Sequence, residues 1–436
     1  MPNKYSSTAP LGIALAGVGT VGGGVLQLLH AHADMLRARC GRDIEVRAVT
    51  ARNIAKLRAR LPAAYSSVVV ENWQAAATHP QVDVLVELMG GEDEAGECVK
   101  TALAAGKAVV TANKALLAAR GDEIFSAAQA AGKPVAFEAA VAGCIPIVKT
   151  LREALAADDV QEVAGIINGT CNYILTAMTD GEKFSSALAE AQKQGFAEAD
   201  PSLDIDGIDA AHKIILIARL AFGAQASLAD MLVSGVRGFD LRDVRYAAQF
   251  GFCVKLLAHT RRTNDGVELS VQPTLVPIRH PLASVHGAMN AILVRSAFAG
   301  ETMYYGAGAG AQPTATAVLA DIIDIARQNG ALAVSNNGTS PPKLIASDDC
   351  GAPHFLRLRV IDRPGVLAEI AGALAAQNIS IEAIHQNESA PGQKVDIILL
   401  LHETTRGRVL ASAQEIEKQP AVVGGILIMP IKRFIG

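Results

Sequence analysis

The run Leu11-Gly12-Ile13-Ala14-Leu15-Ala16, followed at once by Gly17-Val18-Gly19-Thr20-Val21-Gly22, constrains this chain more than any other feature. Six small or apolar residues without a charge read as a strand buried on both faces. The three glycines then fall at the spacing G-x-G-x-x-G, and a helical pattern over residues 23–37 follows. Each glycine has a separate task. The first permits a tight turn, the second lets the backbone approach a pyrophosphate, and the third lets the helix pack on the strand. The start of that helix offers free N–H groups and the positive end of its dipole to phosphate oxygens. Gly17, Val18, Gly19, Thr20, Val21 and Gly22 are therefore the candidate dinucleotide-binding residues.

Residues 44–50, 82–87 and 108–111 read as further strands separated by helical segments. Strands alternating with helices predict an α/β, Rossmann-type doubly wound parallel sheet, here over residues 1–140. Residues 141–330 alternate less regularly. Longer strands over 160–167, 268–277 and 293–305 and a helix over 206–222 predict an α+β catalytic and dimerisation unit. The segment 331–353 contains Ser335-Asn336-Asn337-Gly338-Thr339-Ser340-Pro341-Pro342 and reads as a linker. Residues 354–436 read strand, helix, strand, strand, helix, strand.

The balance of 39 basic and 43 acidic residues, with a formal charge of −4, gives no reason to expect nucleic acid or a membrane as partner. No apolar run is long enough to span a bilayer, and the first apolar stretch is broken by glycines. The six cysteines form no close pair, so neither a zinc site nor a disulfide framework is signalled. A cytoplasmic location is expected.

A ribose-binding acid normally stands at the end of the second strand. Here that end reads Thr50-Ala51-Arg52-Asn53, with Lys56 and Arg58 beyond. Arg52 suits a ribose 2′-phosphate, so NADP is expected over NAD, with NAD still open.

Three segments carry the chemistry. Thr111-Ala112-Asn113-Lys114-Ala115 sits at the C-terminal end of a strand, where ligands bind in open parallel sheets. Asn168-Gly169-Thr170-Cys171-Asn172-Tyr173 is a polar turn between a strand and a helix, able to offer N–H groups and a hydroxyl to a carboxylate. The third runs from Glu198-Ala199-Asp200-Pro201 through Asp204 and Asp206 to Asp209 and Lys213. Asp209 and Lys213 are four residues apart on one helix face. Taken singly, these acids read as helix caps and the Asp–Lys pair as a surface bridge of little worth.

In order along the chain, Thr111 to Ala115, Glu138 to Pro146, Asn168 to Tyr173 and Glu198 to Lys213 together resemble the homoserine dehydrogenase family, over about residues 11–330. The resemblance implies reversible, NAD(P)H-dependent reduction of L-aspartate 4-semialdehyde to L-homoserine. It implies Lys213 and Lys114 as the cationic groups at the reacting oxygen, with Asp209 holding Lys213. It places Glu198 and Asp204 on the substrate's ammonium group, Gly169 and Thr170 on its carboxylate, and Lys114, Gly306 and Gly308 against the cofactor. Glu138, Val141 and Gly143 match a segment that holds a monovalent cation, such as sodium, through backbone oxygens. Departures from the family pattern are Ala307 for proline, Phe196 for tyrosine, Cys171 for threonine, and the acidic Glu92-Asp93-Glu94.

The C-terminal unit resembles an ACT domain, βαββαβ, with Asp362-Arg363-Pro364-Gly365 leading into its first helix. That implies an amino-acid effector, threonine being expected, or a role in pairing subunits alone. A homodimer or homotetramer is expected. Two other readings stay open at this point. Cys171 at a helix start suggests an acylating aldehyde dehydrogenase. A nucleotide-binding amino-acid sensor without turnover is the second.

Overall fold

The computed structural model describes residues 9–328, 340–387 and 390–433. Strands β1 (Leu11–Ala16), β2 (Ile44–Thr50), β3 (Val84–Glu87), β4 (Ala108–Thr111) and β5 (Val135–Ala136) form a parallel sheet in the order β2-β1-β3-β4-β5. Every residue of β1, β3 and β4 is buried, because helices cover both faces. The chain leaves β1 toward β2 on one side and reaches β3 on the other, so a crevice opens at their C-terminal ends. The helix expected over 23–37 is two helices, Thr20–Ala31 and Ala33–Cys40, because the backbone departs from helical geometry at His32. Helix Ala311–Gln328 returns from far along the sequence to pack on Thr20–Ala31; its Ala315, Val318 and Ile322 share a core with Leu11, Ile13 and Val25.

The second sheet comprises β6 (Val160–Ile166), β7 (Leu232–Val233), β8 (Phe252–Arg262), β9 (Val267–Pro277), β10 (Met289–Ser296) and β11 (Gly300–Ala307). Its order is β11-β10-β6-β8-β9-β7, antiparallel except where β7 meets β9. The single strand expected over 293–305 is instead a hairpin of β10 and β11. Gly300, at φ +70, takes the left-handed turn that a strand of side-chain-bearing residues avoids. Helix Ile208–Phe222 lies against β8 and β9, burying Ala211, Ile214, Ile215 and Ala218.

In the third sheet, β12 (Gly351–Ile361), β13 (Ile381–Gln386), β14 (Lys394–Thr405) and β15 (Leu427–Pro430) pair antiparallel as β13-β14-β12-β15. With helices Val366–Ala376 and Arg406–Glu417 this is the expected βαββαβ unit. Both faces of the sheet are used, as the two-residue period of a strand allows. Val395, Ile397, Leu399 and Leu401 face the unit's own helices, while Ile398 and Leu400, with Phe355 and Met429, join the core of the second sheet. Of the segment read as a linker, residues 331–339 lie outside the described residues. Beyond them the chain runs along β9, where Lys343 O accepts the Val267 N–H at 2.8 Å and Ile345 N donates to Val267 O at 3.0 Å.

Polar groups fix the third unit on the second. Arg357 on β12 pairs with Asp243, both side chains nearly buried. The Tyr246 hydroxyl donates to Asp396 Oδ2 at 3.2 Å. Removing one partner of a buried pair leaves an uncompensated charge, which costs about 3 kcal/mol or more. Asp243→Ala is therefore expected to lower the free energy of unfolding, measured in urea, by an amount of that order; a loss of less than about 0.5 kcal/mol, the usual effect of a surface change, would contradict the docking described here.

Candidate active site

The glycine turn behaves as its spacing implies. Gly17 has φ +101, and a Cβ there would lie 2.4 Å from Leu88 O. A Cβ on Gly22 would lie 2.3 Å from Gly17 O, so helix Thr20–Ala31 can approach the strand only through glycine. A Cβ on Gly19 would meet nothing, because that position faces open space. Helix Thr20–Ala31 has no side-chain cap and no acid in its first turn, which leaves its N–H groups free for an anion. The cleft before it measures about 1120 Å³. It is lined by Gly17, Val18, Gly19 and Thr20, by Arg52, Lys56 and Arg60 beyond β2, and by Leu88 to Gly90 beyond β3. Such a volume and lining fit a dinucleotide. Val21 and Gly22 lie within the helix and do not line the cleft.

A buried network fixes the floor beside it. Glu87, fully buried at the end of β3, accepts from Thr111 Oγ1 at 2.6 Å and from the Met89 N–H at 2.7 Å. Burial pushes its carboxyl up, against these hydrogen bonds. Asn113 caps helix Lys114–Ala131 through the Leu116 N–H and donates to Gly91 O at 2.6 Å. This holds Lys114 at the first helical position, beyond the end of β4. An acid closing a strand that is otherwise wholly apolar was the available signal for Glu87; sequence reasoning assigned it no role.

Lys114 reaches out of the first unit to Asp209, on helix Ile208–Phe222, with Nζ 3.3 Å from Oδ1. The other oxygen of Asp209 accepts from Lys213 Nζ at 2.6 Å. Lys213 also donates to Ile167 O, the first residue beyond β6, at 2.7 Å. The four-residue spacing is thus not a surface bridge: the side chains of Lys213 and Asp209 are 10% and 13% exposed. Asn168 caps helix Gly169–Thr179 by accepting the Cys171 N–H, and its Nδ2 donates to Asp204 Oδ1 at 2.7 Å and Asp209 Oδ2 at 2.9 Å. Thr170 Oγ1 lies 3.2 Å from Asp204 Oδ2 and donates to Phe196 O at 2.5 Å.

The electrostatics follow. Burial would raise the Asp209 carboxyl, but the charges of Lys213 and Lys114 and hydrogen bonds from Lys213 and Asn168 hold it far below the usual range. Asp204 is raised, by burial and by the nearby charge of Asp209. The Cys171 thiol is fully buried and donates to Asp204 O at 3.1 Å; burial and three neighbouring aspartates push it well above its ordinary value. A thiol held neutral is no nucleophile, which removes the support for an acylating mechanism.

The structure therefore gathers Lys213, Lys114, Asp209, Asp204, Gly169 and Thr170. Glu198 is exposed, and among the described residues its carboxylate has no hydrogen-bond or ion-pair partner. Arg52 is exposed and lines the cleft. Gly306 and Gly308 lie beside the turn of Glu138, Val141 and Gly143: a Cβ on Gly143 would lie 2.7 Å from the Gly308 carbonyl carbon. The Glu138 carboxylate is already engaged, accepting the N–H groups of Val148 and Lys149 at 2.9 and 2.8 Å. Ala142 and Gly143 are both left-handed, at φ 55 and 61.

A dinucleotide-binding turn and cleft in one unit, with Lys114 of that unit reaching a buried Asp209–Lys213 pair on the next, is the equipment of a nicotinamide-dependent oxidoreductase. Residues 17–138 match the homoserine dehydrogenase NAD-binding domain model, residues 146–323 the homoserine dehydrogenase model, and residues 354–421 the ACT domain. The homoserine dehydrogenase of Neisseria gonorrhoeae is 44% identical over 417 residues, 94% of this chain and 95% of the relative. A crystal structure of a homoserine dehydrogenase from Thiobacillus denitrificans is 44% identical, covers 97% of this chain and 98% of its own, and superposes with a TM-score of 0.91. A hyperthermophilic archaeal homoserine dehydrogenase mutant in complex with NADPH, 27% identical, covers 75% of this chain and all (100%) of its own, with a TM-score of 0.63. The chain belongs to the homoserine dehydrogenase family.

Asp204 supplies a test of the site's electrostatics. Its folded pKa is raised, so its contribution to stability is present below the unfolded value, about 3.9, and is lost as pH rises through the folded pKa. Asp204→Asn removes that titration. The variant is expected to melt above wild type near neutral pH, with the difference closing as pH falls toward about 4. A difference independent of pH would contradict the shift.

Proposed function

We propose that this chain catalyses the reversible reduction of L-aspartate 4-semialdehyde to L-homoserine, and that Lys213 and Lys114 manage the charge and proton at the reacting oxygen. The observation that supports this reading best is the single buried carboxylate, Asp209, holding both ammonium groups at one point. When bound, a nicotinamide dinucleotide supplies the hydride. Everything else falls to the chain. A lysine beside the aldehyde oxygen stabilises the developing alkoxide and donates a proton to it, or removes one in reverse. Asp209 stays ionised, so it fixes Lys213 without competing for that proton. Asp204 and Glu198 would accept from the substrate's ammonium group, and the N–H groups of Gly169 and Thr170 would receive its carboxylate. That division would put the charged groups of the substrate on the second unit and turn its aldehyde toward the cofactor. The intact cluster argues against a sensor without turnover.

Arg52, Lys56 and Arg60 along the cleft favour the 2′-phosphate of NADP over NAD. The backbone oxygens of Glu138, Val141 and Gly143 would hold a monovalent cation such as sodium. The left-handed pair at Ala142 and Gly143 supports this, since such conformations turn carbonyls out of regular structure. The C-terminal unit would bind an amino-acid effector, threonine, at the start of helix Val366–Ala376, where Gly365 has φ +93. We take the division of the chain as 1–140, 141–330, 331–353 and 354–436, with helix Ala311–Gln328 lent back to the first unit. Strand β11 leaves an edge with Phe298 and Tyr305 88% and 56% exposed, a surface suited to a second copy in a homodimer or tetramer. A monomer in sedimentation would count against this. A cytoplasmic location agrees with a biosynthetic activity on free amino acids.

One assay tests the core of this reading: oxidation of reduced cofactor with aspartate semialdehyde, for wild type and Lys213→Ala. NADPH is expected to be used faster than NADH, threonine to inhibit, and omission of sodium to slow the rate. Lys213→Ala is expected to lose about a thousandfold in kcat while still binding NADPH. No oxidation by folded wild type would overturn the assignment of substrate.

A further inference from the structure

Asn290, on β10, is 1% exposed, and both atoms of its carboxamide, Oδ1 and Nδ2, are buried with no hydrogen-bond partner among the described residues. Its neighbours differ. Asn172 donates to the carbonyls of Val285, Gly287 and Met289 and accepts from Lys255, and Asn168 is engaged at both ends of its amide. A buried amide left wholly unpaired destabilises a fold, so its retention calls for a partner.

The surroundings show where that partner would come from. Asn290 stands opposite Gly306 in the β10–β11 ladder. An ideal Cβ on Gly308 would lie 1.8 Å from Asn290 Nδ2, so only a residue without a side chain can cover the amide. A Cβ on Gly169, at the start of helix Gly169–Thr179, would lie 3.6 Å from Asn290 Oδ1. The amide therefore sits where the glycine loop after β11, the Gly143 turn and the first turn of the candidate substrate helix converge.

We propose that Asn290 binds the nicotinamide end of the cofactor, its Nδ2 donating to the carboxamide oxygen and its Oδ1 accepting from the carboxamide N–H, once Gly308 has moved aside. The proposal rests on the reading that the loop of Gly306 and Gly308 faces the cofactor. The chemistry selects the ligand group. A carboxylate offers only acceptors and would leave Oδ1 unpaired and repelled. An ammonium offers only donors and would leave Nδ2 unpaired. A carboxamide offers one of each, side by side. The free protein then carries the cost of the unpaired amide and recovers it on binding.

The test uses Asn290→Leu, similar in size and without polar atoms, in the full chain. NADPH binding is followed by its fluorescence. NADP and its 3-acetylpyridine analogue, in which an acetyl group replaces the carboxamide and its N–H donors, are compared by displacement. Thermal melts are recorded without cofactor. Removing an unpaired buried amide is nearly neutral or stabilising, so the variant is expected to melt no lower than wild type without cofactor. It is expected to bind NADPH about tenfold more weakly. Wild type is expected to prefer NADP over the analogue, and the variant to bind the two alike. A variant that melts lower without cofactor yet keeps the wild-type preference would show a purely structural asparagine and overturn the proposal alone. A folded wild type that binds no NADPH would overturn the cofactor reading, and this proposal with it.

Discussion

The site depends on one carboxylate. Asp209 is buried, and a buried charge is costly unless it is paired and hydrogen-bonded. Here Lys213 and Asn168 share one oxygen and Lys114 faces the other. The carboxylate is ionised because of them, and they are held because it is ionised. Without it, Lys213 would be a nearly buried cation with Ile167 O as its remaining described partner. The same carboxylate also joins two units of the chain. Lys114 comes from the helix after β4 in the parallel sheet, and Asp209 from the helix that packs on β8 and β9. The Lys114–Asp209–Lys213 cluster therefore exists only where the two units meet.

The strand β6 gives that junction its rigidity. Its end supplies Ile167 O to Lys213 and, one residue further, Asn168 to Asp204 and Asp209. Near its start, Glu162 is almost fully buried and pairs with Arg295, His259 and Lys432, the last reaching across from beyond β15. The C-terminal unit is thus seated on the strand that ends in the site. The alternation of β14, with leucines and isoleucines on both faces, is what allows one sheet to serve its own helices and the second unit at once.

Much of this was legible in the sequence because local rules and the fold agreed. β1, β2 and β4 begin and end where the sequence places them, and the glycine turn takes the geometry that its spacing implies. The βαββαβ order of the C-terminal unit was likewise readable from alternation and turn residues. What failed to show depends on contacts between distant residues. The hairpin at Gly300 was hidden because its turn, Ala297-Phe298-Ala299, is as apolar as the strands beside it. The return of helix Ala311–Gln328 to the first unit leaves no local trace. Asp209 and Lys213 have the spacing of an ordinary surface pair, and only burial reveals a different role; the resemblance to a family, not the pattern, drew attention to them. Asn168 and Glu87 act through partners 36 and 24 residues away in the chain, at Asp204 and Thr111.

The measurement that bears most directly on this account is a double-mutant cycle on Asp209→Asn and Lys213→Ala, read as kcat/KM for the reduction. If Asp209 acts by holding Lys213, the second substitution adds little to the first, and the coupling energy amounts to most of the smaller single effect. Fully additive losses would mean that the two residues act independently, and the account of one carboxylate organising the site would be wrong.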